Sequence, residues 1–410
     1  MAKTMYLQVF EHQVLRLSEQ GLTQRHLDAL AHFNEQHDNR YFTLLHKGVR
    51  FRQYVGVLQV GGLTIEILPK TDQYASKQQW QRVLLELLQA CSMLPVDTLT
   101  EARLQSRNSP LLWFYLNHFI KEVQRLLEGG LVKHYQTKSA NGTTWKGQLN
   151  FAKQLRHNWQ RPERVYSSFQ HYDYQHPANQ IIYRALEIVQ SLSVDPTLQQ
   201  RVRHLLRAFP PQKPIKATAA IFEQLYAQPK FDRYRRALEL ARMITLHYSP
   251  DLRAGSHAVL AILFDMNQLF ERYIQQQLQH YLDKEWLIRA QASKPFWAQR
   301  KLRPDLWLSH HGKHYILDTK WKILKRPSPS DEDLRQMFAY NHSFEATQSL
   351  LVYPNVFALR KRREAFSQPL LLERQAQPHY CTVVFVDVLN PAGQLNRHLA
   401  QDLVRHLQAS

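Results

Sequence analysis

Cysteine is nearly absent from this chain: Cys91 and Cys381 are the only two, far apart and set in apolar stretches. A disulfide framework or a cysteine-rich zinc module is therefore excluded, and a reducing, cytoplasmic setting is expected. Long apolar runs are missing too. None approaches the roughly 20 residues of a membrane-spanning helix, and Met1 to Gln13 mixes polar and apolar residues instead of giving a signal pattern. No internal repeat or low-complexity tract occurs. The chain also lacks a Gly-x-x-x-x-Gly-Lys-Ser/Thr phosphate loop, so it is not expected to be a nucleotide-driven motor itself. The last deficit is acidic. Only 34 Asp+Glu face 53 Lys+Arg, for a net charge of +19 and a pI near 9.8. A surplus of that size favours a polyanionic partner, because cationic side chains on phosphates release condensed counterions. Ribosomal or membrane-surface contacts would fit the charge as well.

What is present suffices for several cores. At 410 residues, 44% of them hydrophobic, the chain has room for two or three domains. Residues 1–75 read as β-rich: Tyr41 to Leu45, Val55 to Val60 and Leu63 to Leu68 have strand patterning, the last two flank a Gly61-Gly62 turn, and one helix is expected at Gln24 to Glu35. Residues 76–248 read as mostly helical, with apolar periodicity in Trp80 to Cys91, Leu111 to Leu127, Gln180 to Leu192 and Leu198 to Phe209, broken at Pro210-Pro211-Gln212-Lys213-Pro214. A third region, 249–410, closes with strands at Ser349 to Tyr353 and Thr382 to Val388 and a helix at Leu395 to Leu407.

Chemistry concentrates in the third region, between Lys301 and Lys325. Leu302, Pro304, Leu306 and Leu308 alternate with Arg303, Asp305, Trp307 and Ser309, and Tyr315-Ile316-Leu317 follow a turn at His310-His311-Gly312-Lys313, the pattern of a β-hairpin. Side chains repeat every second residue along a strand, so Asp318 and Lys320 share a face. Strand register decides whether Asp305 joins them. If it does, two carboxylates supply hard oxygen ligands for Mg²⁺, and Lys320 orients a water or neutralises charge at a phosphodiester. The bland alternative is an ordinary hairpin with Asp near its turn and Lys blocking an edge. Context favours the site. Leu263 to Ile274 reads as a helix with Glu271 beside its apolar stripe, and Asp333 to Tyr340 as a helix with Gln336 and Tyr340 on one face. His310 and His311 are expected to point apart as surface turn residues, with no further histidine at ligand spacing.

The order Glu271, Pro304-Asp305, Asp318-Thr319-Lys320, Gln336-x-x-x-Tyr340 resembles the PD-(D/E)xK nuclease superfamily in its Gln-x-x-x-Tyr branch. The whole chain resembles the McrC family, nuclease subunits of McrBC modification-dependent restriction systems. Landmarks run from Gly56 to Lys70, through Lys146-Gly147-Gln148-Leu149 and His176-Pro177-Ala178-Asn179-Gln180, to Phe264-Asp265-Met266-Asn267 and Asp318-Thr319-Lys320-Trp321-Lys322. The resemblance implies an α+β, α/β multidomain protein. Its parts would be a small β-rich amino-terminal domain, a helical middle region and a carboxy-terminal PD-(D/E)xK α/β core with a mixed central sheet. It further implies catalytic Asp305, Asp318, Lys320 and Glu271, with the three carboxylates holding Mg²⁺ or a substituting Mn²⁺, supported by Gln336 and Tyr340. DNA would lie across Lys322, Lys325 and Arg326. The amino-terminal part would dock into a hexameric McrB-like AAA+ ring and stimulate its nucleotide hydrolysis, although those strands could equally form a buttressing sheet. Two other functions stay open: a self-contained repair or recombination nuclease, and a non-catalytic DNA-binding adaptor that activates such a ring.

Overall fold

The computed structural model describes residues 5–17, 21–69, 76–94, 109–192, 195–250, 257–366 and 379–408. Lys70, the last residue of the amino-terminal landmark, lies outside them. The architecture is mixed α/β with several sheets, some of them mixed in strand direction. Compactness divides the chain into one unit of residues 1–59, 63–111 and 263–410 and a second of 60–62 and 112–262. A reading along the chain yields contiguous regions, whereas the first unit gathers three separate stretches. Among the described residues no helix is long and apolar enough to cross a membrane.

In the first unit, the strand Met5–Phe10 pairs in parallel with Leu63–Leu68, in register Met5 to Leu63 through Phe10 to Leu68. All six residues of Leu63–Leu68 are buried. Among them is Glu66, whose Oε2 accepts from the Tyr6 hydroxyl, from Gln81 Nε2 and from Gln8 Nε2 at 3.1 Å. The amino-terminal helix spans Gln24–Glu35 as expected, begun by Thr23, whose hydroxyl accepts from the His26 amide at 3.4 Å. The helix Lys77–Ala90 starts on a Ser76 cap.

The same unit holds a six-stranded sheet in the order Leu287–Ala290, Leu306–His310, Lys313–Thr319, Gln348–Pro354, Tyr380–Val386, Arg362–Ala365. The first pairs are antiparallel, the central ones parallel. Parallel neighbours require a crossover, supplied here by the helix Asp331–Phe344. Ser330 caps it and Asp331, Glu332 and Asp333 fill its first turn, where negative charge complements the helix dipole. Its Met337, Tyr340 and Phe344 pack on Ile316, Leu351 and Tyr353 of the sheet. The closing elements lie where patterning expects them, with the last helix at Leu399–Gln408.

Two expectations need correction. Leu263, Phe264 and Asp265 end a strand, Val259–Asp265, and the helix runs Met266–Tyr281 with Asp265 as its cap. Apolar residues at strand and helix spacing coincide over so short a stretch, so periodicity alone could not place the junction. The middle region, expected to be mostly helical, also carries strands that the sequence reading did not place. The second unit pairs its helix Pro177–Ser191 with Pro196–Ala208 and Arg235–Leu246, but beside them lies an antiparallel sheet of His134–Gly142, Val165–Asp173 and Gln148–Leu149. Those long strands are half-exposed to exposed over most of their length and largely polar on both faces. They lack the apolar alternation by which strands are read.

Both middle landmarks have structural work in that unit. Gly147 sits at φ +69°, and a Cβ there would fall 2.4 Å from the Ser168 carbonyl oxygen. Asn179, fully buried, donates to the carbonyls of Val132 and Tyr174 at 2.9 and 2.8 Å and accepts from the Tyr234 hydroxyl at 3.0 Å.

Candidate active site

The hairpin register answers the question the sequence leaves open. Leu306 faces Leu317, and the turn pair is His310 with Lys313. Continuing that register one step places Asp305 across from Asp318, and cross-strand partners share a face. The outgoing strand is shorter than expected. Arg300–Leu302 belongs to a separate two-stranded sheet with Lys294–Trp297, and the six-stranded sheet resumes at Leu306. Arg303-Pro304-Asp305 thus forms the joint between two sheets, which suits Pro304, a residue with no amide hydrogen for a ladder.

Each site residue has a defined hold. Asp305 Oδ2 accepts from the Thr319 amide at 2.7 Å and from its hydroxyl at 2.9 Å. Asp318, at 2% exposure, has Lys320 Nζ 2.6 Å from its Oδ2, a close ion pair. Lys320 Nζ also donates to Gln336 Oε1 at 3.1 Å, Gln336 Nε2 donates to Tyr340 Oη at 2.7 Å, and Tyr340 Oη donates to the Arg303 carbonyl at 3.0 Å. This relay joins the lysine to the backbone two residues before Asp305. Glu271, from the helix Met266–Tyr281, accepts from Gln291 Nε2, and the Gln291 amide donates to the Asp305 carbonyl at 2.9 Å.

Electrostatics bind these groups into one cluster. Burial, and then the neighbouring Asp305 charge, push the Glu271 carboxyl up to about 7. Burial and Asp305 likewise push Asp318 up to about 6. Asp305 is raised by burial, against the two Thr319 hydrogen bonds. Burial works against the Lys320 charge, but Asp318 outweighs it, and the ammonium is held above its ordinary range. Asp318 and Asp305 both act on Lys320, and both of their charges act on Glu271 in turn, an arrangement that disfavours full ionisation until more positive charge arrives. The donor set is oxygen only, which by its chemistry suits a hard divalent cation such as Mg²⁺ or Mn²⁺, although the ligand atoms of the three carboxylates do not all lie within 4.8 Å of one another.

The expected DNA contacts are less uniform. Lys322 is exposed but leans on the buried Asp333 at 3.4 Å, whereas Lys325 and Arg326 lie on the exposed stretch between strand and helix. Sequence reasoning missed four participants. Thr319 stands inside the Asp-Thr-Lys motif, where its hydroxyl is a visible signal; Gln291, in left-handed backbone at φ 52°, gives none. Trp321 packs against Phe270, ring centroids 5.2 Å apart, and its indole N–H donates to Glu11 Oε1 at 2.8 Å. The residue after Lys320 thereby touches the residue before Glu271.

Over residues 49–354 the chain matches the family described as McrBC 5-methylcytosine restriction system component. Among solved structures it is similar to a chain of the refined half-complex from a tetradecameric assembly of Thermococcus gammatolerans McrB AAA+ hexamers with bound McrC. That likeness has a TM-score of 0.65 and 19% identity, and covers 98% of this chain and 99% of that one. A second match is to the cryo-EM structure of the Thermococcus gammatolerans McrBC complex, at TM-score 0.49 and 20% identity, covering 68% of this chain and 88% of that one. No curated protein matches.

Proposed function

The chain belongs to the family of McrBC 5-methylcytosine restriction system components, and from that premise we propose that it is the system's Mg²⁺-dependent DNA endonuclease subunit. The observation that carries this reading is the acidic trio Glu271, Asp305 and Asp318 with Lys320 fixed against it by Gln336 and Tyr340. We assign the six-stranded sheet and its flanking helices to a PD-(D/E)xK core, residues 249–410.

In this proposal the three carboxylates hold the cation, which when bound would polarise the scissile phosphate and stabilise the charge on the leaving oxygen. The protein's own groups do the positioning. Thr319 fixes Asp305 through two hydrogen bonds on one oxygen, aiming the other away. Lys320 keeps its proton beside Asp318 and presents an ammonium to the nonbridging phosphate oxygens or the attacking water. The Gln336–Tyr340–Arg303 relay limits the lysine's rotamers and sets its distance from Asp305, so it need not reorganise during reaction. Lys322, Lys325 and Arg326 would meet the DNA backbone, an electrostatic contact without sequence information.

The decision to cut would come from a partner. The chain carries no phosphate loop, and the similar solved assembly holds McrC on McrB AAA+ hexamers. We propose the same arrangement: residues 1–75 dock to an AAA+ ring, stimulate its nucleotide hydrolysis and place the nuclease on foreign DNA in the cytoplasm. The test is a cleavage assay on methylated and unmethylated DNA with and without ring partner and nucleotide. Cutting should need all components and should vanish in Asp318→Ala. Undiminished cutting by that variant would overturn the site, and full activity of the chain alone would instead favour a self-contained repair nuclease.

A further inference from the structure

The hairpin whose base holds Asp305 and Asp318 carries a second cluster at its tip, chemically unlike the first. Its turn is the two-residue His311-Gly312, both with positive φ, 48° and 76°. That conformation matches the right-handed strand twist and, contrary to the expectation that adjacent turn histidines diverge, swings the His311 ring back to within 4.0 Å of His310, centroid to centroid. Glu285 meets them from the loop before the edge strand, with Oε2 3.3 Å from His311 Nε2 and 3.8 Å from His310 Nε2. Each element is anchored. Leu287, two residues after Glu285, pairs with Ser309; Asp283 Oδ1 accepts from the Glu285 amide at 2.9 Å; and the Trp286 indole lies flat on His310 at 4.2 Å and 7°.

We propose that Glu285, His310 and His311 bind a divalent transition ion of the zinc class, with water completing the coordination. The three ligand atoms all lie within 4.8 Å of one another. Zinc bonds of about 2.0–2.2 Å to nitrogen and oxygen set tetrahedral ligand atoms roughly 3.3–3.6 Å apart. A small closing movement of Glu285 and His311, whose side chains are 64% and 70% exposed, would satisfy that requirement, while His310, at 19%, stays clamped under Trp286. Two imidazoles select zinc, nickel or copper and disfavour magnesium, which demands oxygen ligands and octahedral geometry. One hairpin would thus separate two ions by chemistry: a hard cation among carboxylates at its base, a softer one among imidazoles at its tip. Bound there, the ion would cross-link the loop before the sheet's edge strand to the hairpin turn.

The test reads binding, not cleavage, so its outcome is independent of the nuclease assignment. The full chain, stripped with chelator, is titrated with Zn²⁺ by calorimetry and with Co²⁺ by its ligand-field absorption, in wild type and in an Asp318→Asn background that disables the acidic trio. One equivalent that excess Mg²⁺ does not displace should bind in both, with a cobalt spectrum of low coordination number. His311→Asn keeps a residue tolerant of positive φ, so its circular dichroism and zinc-free melting should match wild type. Its zinc affinity should fall by more than the roughly 10–100-fold that loss of an outer-shell partner costs, and Glu285→Gln should fall in the same direction. Zinc titrations of His311→Asn and Glu285→Gln that superimpose on wild type would overturn the site, as would displacement by Mg²⁺.

Discussion

Two buried acid sites in the first unit are built on opposite plans. Glu66, fully buried in the amino-terminal sheet, takes hydrogen bonds from three neutral donors, Tyr6, Gln8 and Gln81, and burial raises its pKa. Its partners are neutral hydrogen-bond donors, not other carboxylates. Burial raises Glu271, Asp305 and Asp318 alike, and the Asp305 charge adds to the rise of the other two, with Lys320 paired to Asp318. Buried polar groups in a resting structure are ordinarily satisfied; a cluster that leaves charge unbalanced is arranged for something that arrives later. The same residue chemistry therefore serves folding in one place and, in the proposed nuclease, would meet substrate and cation in the other.

The contrast can be broken most sharply by neutralising each site. Asp318→Asn should reduce cleavage by roughly 10³-fold, the several kcal/mol that cation catalysis supplies, while changing the cation-free melting temperature little, since the Asp305 charge still acts on the lysine. Glu66→Ala should do the reverse. It strands three donors and should lower stability by about 1–3 kcal/mol in urea denaturation, with cleavage per folded molecule within twofold of wild type. If Glu66→Ala cut poorly and Asp318→Asn melted early, the two plans would not be distinct. Lys320→Met should lower cleavage by roughly 10²-fold, less than loss of Asp318 but without abolishing calorimetric binding of Ca²⁺.

Titration gives a subtler separation. The folded, cation-free protein holds protons on Glu271 up to about pH 7 and on Asp318 up to about pH 6, whereas the unfolded chain releases them near the ordinary carboxylate range. The unfolded state then binds fewer protons, so this contribution to stability is complete below about pH 4 and is lost as pH rises through 6 to 7. Saturating Mg²⁺ should invert the trend by keeping the carboxylates ionised, with binding weakening as pH falls through 7 to 6. Melting curves with chelator and with Mg²⁺ should cross; parallel curves would show that the trio does not hold the ion. The smallest effect is expected from Tyr340→Phe. Losing its bond to the Arg303 carbonyl should cost about 1 kcal/mol and lower cleavage a few-fold, a drop that the same change at Tyr6 should not produce.

Much of this was legible in the residues. The helix Gln24–Glu35 and the turn at His311-Gly312 follow from patterning, because a 3.6 period and a Gly at positive φ are local properties. That Gln336 and Tyr340 share a helix face is local too, although their joint hold on Lys320 and Arg303 is not. Register was the missing quantity for Asp305, since pairing depends on a partner strand. The strands His134–Gly142 and Val165–Asp173 were hidden because their faces are not sorted by polarity. Gln291 was invisible for another reason: its use arises from a left-handed bend that brings a plain surface amide onto Glu271.

The indole of Trp321 reaching Glu11 has a consequence for inheritance. These residues stand 310 positions apart, yet one hydrogen bond ties the end of the first strand to the residue after Lys320. Recombination between diverged relatives would preserve the site only when both segments came from one parent, or when the incoming segment kept a carboxylate at position 11. Chimeras that exchange the two ends independently should fold their sheets and yet misplace the lysine, so natural variation at 11 and 321 should travel together.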